Sequence, residues 1–330
     1  MNSFGRLLRV EIFGESHGSC VGVLLDGVPS GIELGYAEIT LLLDRRRAGK
    51  LGTTARQEAD IPEFKSGVYQ NKTTGAPILI TFLNNNISPS DYELVKDIPR
   101  PNHADFTASC KYHKHNDTRG GGHFSGRLTA GLVVAGYLAK KVIPDIAISA
   151  KILSVGGEEE YHALLKKAVE EKDSLGAEIG CVVENIPVGL GEPFFDSVES
   201  LLAHAIFSIP GVKGIQFGLE KDPITTPGSE FNDLIVDEIG TTQTNNSGGI
   251  VGGITNGNRI EFKVAIKPTA SIGKAQKSFS YSRNKMVEFA ISGRHDVCFG
   301  LRVPVVIEAV TALVLADLSL LANAYREISD

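Results

Sequence analysis

Residues 21–32 read VGVLLDGVPSGI and residues 179–190 read IGCVVENIPVGL, so one apolar pattern occurs twice in the chain. Each copy is an apolar run with β-branched residues that ends in a Pro-x-Gly turn, which predicts a strand and a turn. A loop and a leucine-rich helical pattern follow both copies. The repetition predicts a single domain, residues 1–330, built from two pseudo-symmetric halves of about 1–150 and 151–330. The alternative is a chance similarity between two hydrophobic strands.

Strand and helix patterns alternate outside the repeat as well. Strands are predicted at residues 7–13, 21–25, 77–83, 146–155, 178–186, 214–218 and 259–266. Helices are predicted at residues 37–47, 125–143, 158–172, 198–209 and 303–324. No Pro/Ser-rich linker separates the halves. The alternation therefore predicts one α/β (α+β) domain rather than two tethered domains.

The composition argues against several classes of protein. A formal net charge of -6, the absence of Trp and only 7% aromatic residues argue against nucleic-acid binding. The four cysteines are scattered without paired metal spacing, so we expect reduced thiols and no metal site. The longest apolar stretch, residues 303–321, contains Glu308 and Asp317, which favours a buried helix over a membrane span. No secretory signal is visible, so we expect a cytoplasmic protein without membrane contact.

Two histidines stand in polar runs that glycine or proline interrupts. His17 lies in GESHG (14–18), and His103 lies in RPNHAD (100–105). Neither falls on a periodic apolar face. Histidine titrates near neutral pH and can pass a proton in either direction. Because arginines cluster around both, the pattern predicts proton transfer on a phosphorylated, acidic substrate.

Two arginine-rich segments are candidates for binding that substrate. RGGGHFSGR (119–127) precedes a predicted helix, and successive glycines at a helix N-terminus can form an anion cradle. A plain flexible loop is the alternative. DRRR (44–47) ends the first predicted helix, where neighbouring side chains diverge by about 100°, so one or two of its arginines can face a single ligand. Solvated cations at a helix C-terminus are the alternative there.

Three segments of the second half add polar and flexible positions. NNSGGIVGGI (245–254) has paired glycines that permit close backbone approach, and KPTAS (267–271) offers a cation and two hydroxyls. GRHD (293–296) offers a cation, an imidazole and a carboxylate in one loop. Each of these is weak evidence alone. The chain shows no Walker-type phosphate loop and no dinucleotide glycine fingerprint.

Seven motifs together resemble the chorismate synthase family: GESHG, DRRRAG, RPNHADF, RGGG, GGIVGGITNG, KPTASI and SGRHD, in this order and at these spacings. The similarity runs from Gly5 to the closing helix. It implies a pseudo-symmetric β-α-β sandwich with a central helical layer between sheets, and a homotetramer. It also implies that the chain binds reduced FMN and converts 5-enolpyruvylshikimate 3-phosphate to chorismate and phosphate by 1,4 trans-elimination without net redox change. Some members of the family reduce their own flavin with NADPH, and the resemblance leaves open whether this chain does.

The resemblance also implies roles for individual residues. His103 protonates the leaving phosphate, and His17 protonates the reduced flavin. The relay residues near the flavin are Ser16, Ser125 and Asp296. The residues that contact substrate or NADP are Arg45, Arg46 and Arg127. The FMN contacts are His123, Phe124, Ser125, Gly252, Lys267, Pro268, Thr269, Ala270, Ser271 and Arg294.

The chain departs from the family pattern at two of these FMN positions. His123 stands where arginine is usual, and Phe124 stands where serine is usual. An FMN-dependent oxidoreductase and an inactive flavin-binding homologue are the alternatives to a chorismate synthase. The lack of a dinucleotide fingerprint argues against the first. The presence of His17, His103 and Asp296 together argues against the second.

Overall fold

Residues 2–56, 58–86, 94–291 and 295–323 are described by the structure, a computed structural model. The α-helices over those residues are α1 (Tyr36–Arg46), α2 (Asp105–Lys111), α3 (Thr129–Val142), α4 (His162–Glu170), α5 (Val198–Ile206), α6 (Gly228–Phe231) and α7 (Pro304–Ala322). The strands are β1 (Ser3–Phe4), β2 (Arg9–Gly14), β3 (Cys20–Asp26), β4 (Glu63–Phe64), β5 (Val68–Tyr69), β6 (Lys72–Thr73), β7 (Ile78–Leu83), β8 (Ala147–Val155), β9 (Ala177–Glu184), β10 (Val212–Phe217), β11 (Ile250–Val251), β12 (Ile254–Thr255), β13 (Ile260–Ile266), β14 (Gln276–Ser280) and β15 (Lys285–Phe289).

Two antiparallel sheets carry the longer strands. The first has five strands in the order β1-β2-β3-β7-β4, and the second has four in the order β10-β13-β9-β8. Three short ribbons, β5-β6, β11-β12 and β14-β15, stand apart from both sheets. The strands of the repeat, β3 and β9, lie inside their sheets, which explains their nearly continuous apolar sequences.

A layer of helices separates the two sheets. Helix α3 packs against β2, β3 and β7 of the first sheet and against α7 on its other side. Helix α7 packs in turn against β8 and β9 of the second sheet, while α1 and α5 pack beside this pair. The predicted fold, a mixed α/β sandwich with helices between sheets, is confirmed.

Helix α7 lies in the core of the protein. Among the described residues, α7 is the one helix long and apolar enough to cross a membrane, but 78% of its apolar 18-residue stretch is buried inside the protein. A helix that is apolar on all sides needs such surroundings. Its two acidic residues are buried and have partners: Glu308 accepts hydrogen bonds from the guanidinium of Arg45 and the N–H of Ala150.

The other acidic residue of α7, Asp317, fixes the start of the first sheet. Its carboxylate accepts the backbone N–H groups of Arg6 (2.9 Å), Leu7 (2.7 Å) and Leu8 (2.8 Å). Because Leu7 and Leu8 donate to this carboxylate rather than to a neighbouring strand, β2 begins at Arg9, two residues after the predicted start.

Asp317→Ala is therefore expected to lower the free energy of unfolding by about 2–4 kcal/mol, because three partly buried N–H groups lose their acceptor. Urea denaturation followed by circular dichroism measures the change. The matched control is Asp145→Ala, at an exposed aspartate, for which we expect a change within about 0.5 kcal/mol. Equal midpoints for the two variants would contradict the role assigned to Asp317.

The turns that end the two repeat copies make matching hydrogen bonds. Thr73 Oγ1 donates to the carbonyl of the first turn's proline (2.6 Å) and accepts from Ile32 N (2.9 Å). Thr255 Oγ1 donates to the carbonyl of the second turn's proline (2.6 Å) and accepts from Leu190 N (2.9 Å). These bonds support the organisation into two pseudo-symmetric halves, which stays a prediction.

The predicted start of the helix at residues 125–143 is wrong by four residues. A 3-10 turn occupies Gly126–Leu128, and α3 begins only at Thr129. Ser125 Oγ accepts the Arg127 N–H, and Thr129 Oγ1 donates to Gly126 O, so side chains hold a separate turn before the helix. The helix predicted at residues 158–172 likewise begins later, at His162.

Candidate active site

A cleft of about 380 Å3 is lined by loops from both predicted halves of the chain. The first half contributes Ser16 after β2, the end of α1, residues 54–60, the His103 loop and the glycine run before α3. The second half contributes residues 210–211, 267–271 and the segment from His295 to Arg302. These segments lie in loops or at the ends of strands and helices, where side chains can converge without interrupting a sheet.

The triple glycine lies between the two histidines. Gly120, Gly121 and Gly122 all have positive φ angles (59°, 86° and 53°). A Cβ built on Gly120 would come closer than 3.0 Å to Nδ1 of the buried His17, and one built on Gly121 would lie 3.4 Å from His103 Nε2. The glycine loop therefore lies between His17 and His103.

Gly120→Ala is expected to reduce turnover by about 100-fold while leaving the fold intact, because the added methyl group displaces the His17 ring. Steady-state kinetics and a thermal melt would separate these two effects. The control is Gly31→Ala, at φ +88° with nothing within 4 Å of the added Cβ, which introduces the backbone strain without the clash. Equal losses of turnover in both variants would show that strain, and not the position of His17, is responsible.

His103 is held by a buried ion pair. Its Nδ1 lies 2.7 Å from Asp105 Oδ1, and the same carboxylate accepts from Arg100 Nε (2.7 Å) and Nη2 (2.6 Å). Burial lowers the pKa of His103, and the charges of Arg100 and Lys267 lower it further, although Asp105 acts in the opposite direction. Burial opposes ionisation of Asp105, yet Arg100 and His103 hold its pKa well below the usual range. In the free protein His103 is therefore neutral at pH 7, with Asp105 ionised.

Asp60 joins two arginines at the wall of the cleft. Its carboxylate accepts from Arg46 Nη2 (2.5 Å) and from Arg127 Nη1, and all three side chains are at least 95% buried. Burial opposes ionisation of Asp60, but the two guanidinium groups lower its pKa overall. One carboxylate thus holds two cations side by side and leaves a net positive charge facing the cleft.

Asp296 is fixed at the wall of the cleft by two partners. It accepts Thr54 N (2.8 Å) at Oδ1 and forms an ion pair with Arg302 Nη1 (3.1 Å at Oδ2). Arg302 Nε also donates to Arg46 O (2.8 Å), which connects this pair to the Asp60 cluster. The carboxylate is therefore held in one orientation at the cleft.

Ser16 receives two bonds from a single guanidinium group. Arg56 Nη1 donates to Ser16 Oγ (2.8 Å) and Arg56 Nη2 to Ser16 O (2.9 Å), while Glu58 accepts from Arg56 (2.8 Å). The backbone N–H of Ser16 donates to Gly122 O (3.0 Å), so the GESHG loop is bound to the glycine loop.

The cleft is cationic in a chain of net charge -6. Among the described residues, seven Arg or Lys side chains and three carboxylates line the cleft. The basic residues are Arg46, Arg47, Arg56, Arg100, Arg127, Lys267 and Arg302, and the acidic residues are Glu58, Asp60 and Asp296. Such a lining favours a ligand with several negative charges, since arginine forks match carboxylate and phosphate geometry. No group of three metal-ligating side chains is found among the described residues.

Most of the residues singled out from the sequence lie at this cleft. Its lining includes Ser16, Arg46, His103, Phe124, Ser125, Arg127, Lys267, Pro268, Thr269, Ala270, Ser271 and Asp296. His17 is buried behind Gly120.

Three of the singled-out residues are placed differently, and a fourth lies outside the described residues. Arg45 points away from the cleft and forms a two-bond ion pair with Glu308 (2.7 Å each). Gly252 lies in the turn between β11 and β12 and is absent from the cleft lining. His123 lines a neighbouring cavity, where its Nδ1 contacts Gly14 O (2.8 Å). Arg294 lies outside the described residues.

The glycine run does not form the N-terminus of a helix, as the sequence suggested. Because α3 begins at Thr129, five residues beyond the 3-10 segment Arg119–Phe124, its dipole is not directed at Gly120–Gly122. The positive potential of the cleft comes instead from guanidinium groups such as those of Arg46 and Arg127.

Sequence reasoning missed Asp60, Arg302 and Glu58. Each has a partner that is distant in the sequence: Asp60 is separated from Arg127 by 67 residues, Arg302 from Arg46 by 256, and Glu58 from Asn85 by 27. The only local signal is the left-handed backbone of Asp60 (φ 50°), which a sequence does not display.

A second cavity of about 440 Å3 adjoins the cleft. Five residues line both spaces: Phe124, Ser125, Pro210, Gly211 and Lys267. The rest of its wall is mainly apolar and comes from β1, β2, α3, α5, β10 and α7, with the side chains of Phe4, Val10, Leu132, Ile209 and Leu313 among them. We refer to it as the second cavity.

Comparisons with known proteins agree with this geometry. A sequence profile of the family described as "Chorismate synthase" matches residues 8–320. The chorismate synthase of Chitinophaga pinensis is 54% identical over 329 residues, which cover 99% of each chain. That of Dehalococcoides mccartyi is 44% identical over 98% of this chain and 97% of its own. A solved structure titled "Crystal Structure of Chorismate Synthase" superposes with a TM-score of 0.73 at 26% identity, covering 97% of this chain and 93% of the other. The chain therefore belongs to the chorismate synthase family.

Proposed function

We propose that this chain is a lyase that converts 5-enolpyruvylshikimate 3-phosphate to chorismate and phosphate by a 1,4 trans-elimination that requires reduced FMN and involves no net redox change. The observation that carries the proposal is the arrangement of His17 and His103 on two sides of one glycine loop, at a cleft rich in arginine. The membership of the family supports the reaction class.

The cleft suits this small-molecule substrate, which carries a phosphate and two carboxylates. The cations of the lining can neutralise these charges and exclude water from the reacting bonds. Arg46 and Arg127 present a pre-assembled pair of guanidinium groups, and we assign them to one anionic group of the substrate.

His103 is the acid for the departing phosphate in this proposal. Asp105 at Nδ1 leaves His103 Nε2 facing the glycine loop, so Nε2 is the atom that exchanges the proton. The low pKa of the free histidine means that it is neutral before substrate arrives. A bound phosphate dianion favours the imidazolium, so the proton is taken up at Nε2 as the substrate binds.

The residues present fit a flavin. Thr269 Oγ1 is buried at the cleft wall without a hydrogen-bond partner among the described residues, and the second cavity offers apolar surface beside it. The expected FMN contacts Phe124, Ser125 and Lys267 line both spaces. When bound, reduced FMN supplies transient electron density that assists the departure of phosphate. His17 holds the proton exchanged with the flavin, and Ser16, Ser125 and Asp296 orient groups around it.

Several finer features of the proposal rest on the family resemblance alone. They are a homotetrameric assembly and contacts of Arg45, Gly252, His123 and Arg294 with nucleotide or flavin. A cytoplasmic location without nucleic-acid or membrane partners is proposed from the composition and from the lack of a visible secretory signal. Reduction of the flavin by NADPH is a further proposal, and a variant of the anaerobic assay described next tests it.

The deciding experiment is an anaerobic assay with 5-enolpyruvylshikimate 3-phosphate and dithionite-reduced FMN, following chorismate absorbance and released phosphate. Equal amounts of both products, formed only with reduced flavin, support the proposal. Products formed from the same substrate with NADPH and FMN, in the absence of dithionite, would show that the protein reduces its own flavin. Flavin binding without product would identify an inactive homologue, and net oxidation of the flavin or nicotinamide coupled to the substrate would identify an oxidoreductase.

A further inference from the structure

Asn84 stands directly after β7, the strand between β3 and β4 in the first sheet. The residue is buried (9% exposed) and lines neither the cleft nor the second cavity. A buried asparagine amide needs partners for two N–H donors and one carbonyl oxygen. Here those partners belong to two separate parts of the candidate active site.

The N–H groups of the amide hold the GESHG loop. Asn84 Nδ2 donates to Glu15 O and to Gly18 O, both at 3.0 Å. Gly18 N also donates to Glu15 O (3.1 Å), which closes these residues into a turn. Ser16 and His17 are the two central residues of that turn. One amide therefore fixes both ends of the turn that presents Ser16 and His17.

The oxygen of the same amide holds Arg127. Asn84 Oδ1 accepts from Arg127 Nε (3.0 Å), while Arg127 Nη1 donates to Asp60 and Nη2 to Leu83 O (3.3 Å). A guanidinium group has five N–H donors. Within the described residues, these bonds leave one N–H on each Nη for an anion at the cleft. Asn84 thus helps to set the plane in which Arg127 presents its two remaining donors.

The chemistry of the partners determines the orientation of the amide. A backbone carbonyl can only accept a hydrogen bond, and an arginine Nε can only donate one. An amide turned by 180° would therefore lose all three bonds, so Asn84 has a single favourable orientation.

The backbone beside the amide is anchored as well. Asn84 N donates to Ser19 O (3.2 Å), and the N–H groups of Asn85 and Asn86 donate to the carboxylate of Glu58 (3.2 Å each). Because backbone bonds on both sides fix the segment, the side chain of Asn84 is a rigid connection rather than a mobile one.

We propose that Asn84 is a positioning residue of this site, whose buried amide holds the turn of Ser16 and His17 and the guanidinium of Arg127 in one fixed arrangement. The inference rests on the proposed function, which gives His17 the flavin proton and Arg127 an anionic group of the substrate. It adds a residue that no sequence motif indicated. A displacement of about 1 Å between two such groups can reduce the rate about 100-fold.

Two substitutions of Asn84 test the proposal in anaerobic steady-state kinetics. Asn84→Ala removes all three bonds, and Asn84→Asp keeps an acceptor for Arg127 but has no N–H for the turn. We expect kcat to fall about 30-fold in both variants, and KM for the substrate to rise about tenfold in Asn84→Ala. Circular dichroism checks folding, and Asn84→Asp, which has the size of the natural residue, carries the test if Asn84→Ala does not fold.

The matched control is Asn258→Ala. Asn258 also connects two segments, since its Oδ1 accepts from Thr242 N (3.1 Å) and its Nδ2 donates to Gly240 O (3.1 Å). It lines neither the cleft nor the second cavity. The variant should therefore lose some stability and keep the kcat and KM of the wild-type protein.

Two further readouts do not depend on turnover. Calorimetric titration with inorganic phosphate measures anion binding, and Arg127→Met identifies the heat that comes from the arginine pair. Asn84→Ala should weaken this binding about tenfold, whereas Asn258→Ala should leave it unchanged. The NMR signals of the His17 ring should shift in both Asn84 variants, because the turn that carries the ring loses two hydrogen bonds.

Wild-type kinetics and phosphate affinity in folded Asn84→Ala would overturn the inference, because Asn84 would then serve the fold alone. Wild-type kcat in Asn84→Asp would overturn it too, since the turn would not need the amide. If the natural protein forms no chorismate, the proposed function is rejected, and the phosphate and NMR results still decide the inference. If it forms chorismate and Asn84→Ala changes none of the readouts, the inference is rejected and the proposed function is kept.

Discussion

His103→Ala is expected to lower kcat by a factor of about 10² to 10⁴ and to leave flavin binding within about twofold. The reason is that the variant removes the proton donor for the leaving phosphate but leaves the cavity walls and cationic side chains in place. Anaerobic steady-state kinetics measure the first effect and flavin fluorescence titration the second. His162→Ala, at an exposed histidine on α4, is the matched control and should keep wild-type turnover.

The ionisation of His103 provides an independent readout of the same assignment. Burial and the neighbouring charges of Arg100 and Lys267 place the pKa of His103 below 6.5, so an NMR titration of the free protein should show its midpoint below that value. Binding of the substrate should move the midpoint upward, because the phosphate dianion favours the protonated ring. Turnover of His103→Ala near the wild-type rate, or a midpoint that does not respond to substrate, would contradict the role of His103.

The interior strands could be predicted well from the sequence because buried strands consist mainly of apolar residues. One face of β3 and of β9 is fully buried and most of the other face is half-buried, so both strands carry runs of apolar residues that a sequence pattern reveals directly. The short ribbons escaped prediction because distant contacts hold them. The β14-β15 hairpin, for example, is fixed by Asp97, whose carboxylate accepts from Ser280 Oγ (2.6 Å) across 183 residues.

The candidate site shows the same division between local and distant information. Both histidines and the glycine run lie in short motifs, so the sequence alone indicated them as candidate site residues. The choice between Arg45 and Arg46 could not be made locally, because neighbouring side chains on a helix diverge by about 100° and either could have faced the ligand. In the structure, Glu308, 263 residues from Arg45, binds the Arg45 guanidinium, and Arg46 lines the cleft.

Asp60→Asn is expected to lower the free energy of unfolding by about 3–5 kcal/mol and to raise KM for the substrate more than about tenfold. Removing the carboxylate charge leaves the buried guanidinium groups of Arg46 and Arg127 without a counter-ion, so they repel each other and lose their fixed positions. Asparagine tolerates the left-handed backbone of residue 60 (φ 50°), so the substitution isolates the charge from backbone strain. Urea denaturation and substrate-dependent kinetics measure the two effects.

The control for Asp60→Asn is Asp26→Asn, which breaks the exposed ion pair with Arg9 and should change the free energy of unfolding by less than about 1 kcal/mol. If Asp60 only stabilises the fold, KM stays constant among the molecules that remain folded, and Arg46 and Arg127 do not bind the substrate. If kcat falls while KM is unchanged, the arginines act on the transition state alone. In the wild-type protein, inorganic phosphate should compete with the substrate for the pair of guanidinium groups and so raise the apparent KM. If KM rises in Asp60→Asn and added phosphate does not raise it further, the result would show that Asp60 holds the two guanidinium groups in position for an anion.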